Sequence, residues 1–272
     1  MSTLVPTFET PVNRLERRPA ECIETHTRLL KVALEVPHAR SFWHEHRAGR
    51  TLKQETELAF AQHWFGARSY ASVANLLLNF WHRFVSFPEA VPALAGFETL
   101  DFSTSTLICH WHLQLSDPIY RRFTGEFIPK RRLGVRPELT RDVVVDWVAS
   151  LDSLEALGQG HRWTRATHVQ FASKLLSSAH GAGLVATKRD PRPLLWPPVS
   201  DWALGYLFYL LREVDFEGTL RDNPYLRSVG LCGEDGEPRF RRLPGIRYAR
   251  LGGLSEFEWD FPDLSAWVQG VK

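Results

Sequence analysis

This 272-residue chain has only three cysteines, Cys22, Cys109 and Cys232. They lie far apart, form no CxxC pair and cannot complete an even-numbered framework. Neither disulfides nor a thiolate zinc site is therefore expected, and a reducing compartment fits. Long apolar runs are also missing. The longest, Leu204 to Leu211 interrupted by Gly205, falls far short of the roughly 20 residues a membrane span needs. Residues Met1 to Val12 hold no apolar h-region of an export signal. The expectation is a cytoplasmic protein with no membrane partner. Charge of one sign is absent too. With 33 Lys and Arg against 31 Asp and Glu, the net charge is +2, and whole-protein charge says little about partners. No Walker A loop, nucleophile elbow, HExxH or GxGxxG occurs, so phosphate-cradling and hydrolytic chemistry has no anchor. No fixed-period repeat or low-complexity tract is evident.

What remains is an ordinary globular composition, 44% apolar and 24% charged, with ten Trp and seventeen Phe. Large aromatics in such number suit the pinning of helices against one another. The length admits two domains, each with a core.

The punctuation is helical. Apolar residues recur three or four apart from Leu52 to Phe84, predicting helices near 22–35, 37–48, 52–65 and 69–86. Ser103 to Leu115 reads as another, and Asp117-Pro118 supplies a cap and first-turn proline for one through about Phe127. Gly134 and Pro137 mark a boundary. Thr140 to Leu151 is amphipathic. Thr164 caps a helix that closes at Gly181-Ala182-Gly183, and a short hairpin follows, turning at Lys188-Arg189-Asp190-Pro191. Helix, helix, basic hairpin is winged-helix order. Trp202 to Leu211 is an apolar helix with Asp201 as its expected cap. Strands are expected at 240–243, 246–251 and 255–259, and a last helix from Asp263. The predicted fold is mainly α: a flexible arm (1–20), a helical domain (21–135), a winged-helix-like domain with small β-hairpins (136–212) and an α/β extension (213–272).

Two histidine pairs, His44/His46 and His110/His112, have i,i+2 spacing. On a helix such side chains diverge, so no metal site is expected, and they read as surface or core-edge residues. No cysteine has a nucleophile context and no carboxylate cluster suggests a nuclease, so catalytic residues and cofactors are expected to be absent.

Local charge stands out instead. From Arg121 to Arg141 seven basic residues (Arg121, Arg122, Lys130, Arg131, Arg132, Arg136, Arg141) face two acids, Glu126 and Glu138. A second patch is the expected wing, Lys188, Arg189 and Arg192. A third is Arg239, Arg241, Arg242, Arg247 and Arg250. Clustered arginine with interleaved aromatics suits a phosphate backbone. The bland alternative is salt bridging to Glu234, Glu237 or the acidic tail. In the first patch Phe123, Phe127, Ile128 and Leu133 are expected to pack inward, leaving Arg122, Lys130, Arg131 and Arg132 facing outward.

The run His110-Trp-His-Leu-Gln-Leu-Ser-Asp-Pro-Ile-Tyr-Arg-Arg-Phe123, then Val143 to Val148, Trp163-Thr-Arg-Ala through Leu175-Leu to Gly183-Leu184, and Pro197-Pro198 before an apolar helix, resembles the BrxA family of BREX bacteriophage-exclusion systems. The resemblance spans roughly residues 50 to 212 and rests on apolar and turn positions. It implies a helical domain joined to a winged-helix-like one, and binding of double-stranded DNA without catalysis. The sixty or so residues beyond it depart from the pattern. Expected DNA contacts are Arg122, Lys130, Arg131 and Arg132; Arg162 and Arg165 at a helix start, with His168 and Lys174 on its polar face; and Lys188, Arg189 and Arg192 on the wing. No set of Asn, Gln and Arg spaced to read base edges is evident. The competing expectation is an assembly subunit that docks other phage-defence proteins through its aromatic C-terminal extension.

Overall fold

The computed structural model describes residues 18–95, 100–155, 157, 162–252 and 254–271. The expected arm lies outside the described residues up to position 17. Residues 19–22 are already tied down: Pro19 O accepts from Asp215 N at 2.8 Å, Asp215 O from Glu21 N at 2.9 Å, and Leu115 O from Cys22 N at 2.7 Å.

The molecule is mainly helical. Helices α1 (Arg28–Lys31), α2 (Val36–Glu45), α3 (Leu52–Ala61), α4 (Tyr70–Phe80) and α5 (Ala90–Ala95) lead to α6 (Phe102–Ser116). Their starts follow from local chemistry. Thr51 and Gln54 form a reciprocal capping box at α3, Ser69 accepts from Ser72 N at α4, and Asp101 accepts from Thr104 N at α6. A wide π-helical turn, Trp81–Val85, extends α4.

Helix α6 is buried from Thr104 to Ser116. A helix buried on every side must find internal partners for its polar side chains. His110 bonds Tyr120 Oη at 2.8 Å and Ser228 Oγ at 2.9 Å, while His112 bonds Arg83 O at 2.6 Å and Tyr206 Oη at 2.8 Å. Gln114 donates to Thr124 Oγ1 at 2.9 Å, and the Trp111 indole donates to Tyr225 O. The expectation of surface or core-edge histidines therefore fails for this pair. Divergent directions on one helix serve two different neighbours. The Arg83 guanidinium, also buried, donates to Val32, Ala33 and Leu34 carbonyls and fastens the chain after α1.

After α6, Asp117 accepts from Tyr120 N and Pro118 opens α7 (Pro118–Arg122), which runs through a π-turn, Phe123–Phe127, into α8 (Ile128–Arg132). Pro129 has no N–H for the carbonyl four residues back, which suits a widened turn ahead of it. Gly125 lies in that turn against Pro224; an added Cβ would fall 2.6 Å from the proline Cβ.

Next come β1 (Glu138–Leu139), α9 (Arg141–Glu155) and α10 (Arg165–Gly181), the last capped by Thr164. A short return leads to β2 (Arg192–Pro193), antiparallel to β1 in the register Leu139↔Arg192, and a bridge Val185↔Leu194 adds a third antiparallel segment. Helix, strand, helix, helix, strand, turn, strand is winged-helix order, with 187–191 in the wing position.

The C-terminal part starts with α11 (Asp201–Arg212), α12 (Pro224–Ser228) and α13 (Glu237–Phe240). It ends with the hairpin β3 (Ile246–Leu251)–β4 (Leu254–Trp259) and α14 (Leu264–Gly270). Two expectations are corrected. Residues 240–243 are not a strand: Pro238 opens a helical turn that turns Phe240 onto Phe208 and Tyr248. The cap of α11 is Ser200, whose hydroxyl accepts from Ala203 N, and Asp201 is its first residue. Within α11, Gly205 is a notch for the Trp267 ring, which would lie 2.4 Å from an added Cβ. Buried hydrophobics from Leu29 to Val268 form one cluster.

Burial pushes His110 and His112 down to about 3, against 6.5 for a free imidazole. Below pH 6.5 the unfolded chain takes up protons that the folded chain refuses. Stability should therefore fall as pH drops, by up to about 1.4 kcal/mol per unit for each ring. His26 and His82, also lowered by burial, add to the effect. Urea midpoints measured between pH 7 and pH 5 should decline, and His110→Gln should flatten the decline. An unchanged slope in that variant would assign the titration elsewhere.

Candidate nucleic-acid interface

Three sequence elements build the basic surface: the end of α8, the two termini of α10, and the 187–191 turn. Thr164 sets the start of α10 by accepting from Thr167 N, and Arg162 and Arg165 stand exposed there. At the far end, about 25 Å on for 17 residues, the chain returns through the wing. Asp190 organises that turn. One carboxylate oxygen accepts from Arg141 N at 2.8 Å and the other faces Arg192 Nε at 3.2 Å, while Arg192 also donates to Lys188 O. The Arg192 side chain is only 12% exposed. It holds the turn that presents Lys188 and Arg189, both exposed and without side-chain partners among the described residues.

Arg141 and Lys188 meet at a cleft of about 650 Å³. One wall carries Ser173, Ser177 and His180 of α10, and the other Glu35, Pro37 and Phe102. The segment 33–37 thus flanks the C-terminal half of α10, and the first half of the helix is the freer edge, with exposed Ala166 and Gln170.

Other sequence-predicted contacts are spent inside the molecule. His168 Nε2 lies 3.0 Å from Asp152 Oδ2, an oxygen that also accepts from Trp163 N. The ring thus links α9 to α10. Arg122 meets Glu155 at 2.6 Å, a bond that raises the guanidinium's affinity for its proton and lowers that of the carboxyl. Arg131 donates to Glu138 O. Arg132 donates to Ser228 O and Leu195 O and lies 3.5 Å over the Trp196 ring; burial lowers it to about 10, still charged at neutral pH. Arg121, buried, pairs with Glu21 at 3.4 Å. Lys130 and Lys174 have no partners among the described residues, and Lys130 is exposed. The inward packing expected for this stretch holds for Phe123 and Ile128 but not for Leu133, which is 90% exposed because the helix has ended and no element covers it.

In the third patch, salt bridging wins. Arg239 bonds Asp201 at 2.9 Å, Arg241 pairs with Glu237, Arg247 with Glu258 and Asp260, and Arg250 with Glu234 and Glu237. Arg242 alone of that group has no partner among the described residues. The aromatics of the extension are equally committed: Trp267 is fully buried, and Phe257 and Trp259 pack against Phe208 and Tyr209. Arg136 and Arg141, which have no side-chain partners among the described residues, fall beside the wing unit, Arg141 at the cleft itself.

Among the described residues no group of three or more His, Cys, Asp or Glu could hold a metal ion, and no helix is long and apolar enough to cross a membrane. No family model and no curated protein matches the chain.

Removing the carboxylate that organises the wing should loosen it. Asp190→Ala is expected to cost about 1 kcal/mol and to speed tryptic cleavage after Lys188 and Arg189 with the rest of the chain intact. Unaltered cleavage would place the turn's rigidity in its backbone pairing with β1.

Proposed function

We propose that this chain is a non-enzymatic, cytoplasmic DNA-binding component of a bacterial phage-defence system of the BREX type, gripping double-stranded DNA mainly through its backbone. One observation supports the reading above others. Arginines of the C-terminal part, Arg242 excepted, are largely consumed by ion pairs, whereas eight cations without partners among the described residues lie on α8 and the winged-helix segment that follows: Lys130, Arg136, Arg141, Arg162, Arg165, Lys174, Lys188 and Arg189. A side chain already bonded to a carboxylate has little to offer a phosphate. A free one displaces condensed counterions on contact.

The helix expected to approach the duplex argues for backbone contact. Its open face carries Ala166, Gln170, Ser173 and Ser177, of which only Gln170 can make the bidentate contact that distinguishes a base. With 33–37 beside its second half, α10 favours a shallow approach, with Arg162 and Arg165 at one end and Arg141, Lys188 and Arg189 at the other touching phosphates.

The competing assembly reading keeps one favourable feature, Leu251 and Leu254, 87% and 80% exposed near the tip of the β3–β4 hairpin, where an apolar contact with another defence protein would fit.

Fluorescence anisotropy with two unrelated duplexes at several salt concentrations tests the proposal. The wild type should bind both, with log affinity falling linearly against log salt. Replacing Lys188 and Arg189 together by Ala should weaken both complexes equally and flatten that slope by up to about 2, at roughly 0.9 per contact. Arg132→Ala should lower stability and leave the slope alone. No salt-dependent binding to either duplex would overturn the reading in favour of assembly.

A further inference from the structure

A second cleft lies far from the wing in sequence, between the loop after α2 and the chain from the π-turn to α5. It encloses about 600 Å³, within the range of sites for small organic ligands. Its apolar wall is Trp81, Val85, Pro88 and Pro92, with Trp81 and Val85 left half-buried by the core. Large apolar groups left short of full burial beside a concavity are what a hydrophobic ligand would cover.

The opposite wall is polar and its charges do not cancel. Arg47 and Arg50 line the cleft. Their carboxylate neighbour, Glu55, is fully buried behind them, accepting from Arg47 N and Arg50 Nη1, each at 3.4 Å. Glu55 thus meets the Arg50 guanidinium but only the backbone N–H of Arg47, whose guanidinium has no carboxylate partner among the described residues. Arg47, which is exposed, is held by the carbonyls of His44 and His46 at 2.6 and 2.8 Å through a single nitrogen, Nη1. Its remaining donors are uncommitted. His46 lines the same wall and is 8% exposed, and its Nδ1 has no hydrogen-bond partner, lying 3.4 Å from Glu55 Oε2, which has none either. The His46 Nδ1 edge therefore faces the sealed carboxylate, and Arg47 supplies the open positive charge of this wall. The ring also meets Trp81 edge-on at 5.7 Å, so polar and aromatic walls join at one corner.

We propose that this cleft is a binding site for a flat aromatic anion, its rings covering Trp81 and the prolines and its carboxylate or sulfonate meeting Arg47.

1-Anilinonaphthalene-8-sulfonate serves as the probe and 2-naphthoate as its competitor. Titration of the folded full chain should give one saturable site per molecule from which 2-naphthoate displaces the dye. Ala48→Trp fills the mouth from an exposed lining position and should abolish saturable binding with an unchanged melting temperature. Pro92→Phe, from the facing wall, does the same if the first variant fails to fold. Arg47→Gln should weaken the sulfonate roughly tenfold, the worth of one charge-assisted bond, and leave the neutral N-phenyl-1-naphthylamine unaffected. Dye affinity that survives a folded mouth-filling variant, or that ignores Arg47→Gln, overturns the proposal.

Discussion

The fold depends on one constraint: a helix with His110, His112 and Gln114 on its faces is buried along almost its whole length. Each polar group must be met from a different direction, and the partners come from widely separated parts of the chain: Tyr120 and Thr124 just after it, Arg83 before it, Tyr206 and Ser228 near the far end. An unmet group would cost about 1–3 kcal/mol, so the bonds fix how α4, α7, α11 and α12 sit around α6. Apolar contacts alone would tolerate sliding. This polar lattice does not.

The same logic sorts the arginines. The protein is close to neutral, and its basic residues are divided between two jobs by the distance to the nearest carboxylate. In the C-terminal hairpin, Glu234, Glu237, Glu258 and Asp260 lie within reach and the cations become ties. On the winged-helix segment three carboxylates are already engaged, Asp152 with His168, Glu155 with Arg122 and Asp190 with Arg192, and Glu138, Asp142 and Asp146 form no ion pair among the described residues. The remaining cations stay available to an outside partner.

Local signals were legible in the sequence and long-range ones were not. Asp117 and Thr164 act as the expected caps because capping involves only the next three residues. The hairpin turn at Lys188 follows from residues adjacent in the chain. Side-chain pairing that spans from 16 positions (His168 to Asp152) to 118 (His110 to Ser228) leaves no such trace, so the roles of His168, Arg132 and the histidines of α6 emerged only with the fold. Leu133 misled because helical spacing says nothing about where the covering layer stops. Arg192 belongs with the basic residues in composition and with the scaffold in geometry.

The joins made by residues 19–22 and by α6 also bear on how the chain reaches this state. Glu21 bonds Glu217 N and Tyr225 Oη, some two hundred positions away, and α6 needs Tyr206 and Ser228. During synthesis the first two hundred residues emerge with their central helix only partly covered and each of its imidazoles one partner short. Loop closure on that scale is slow and leaves apolar surface open meanwhile. A ribosome-bound intermediate of this protein is therefore a natural client for chaperones until α12 has emerged.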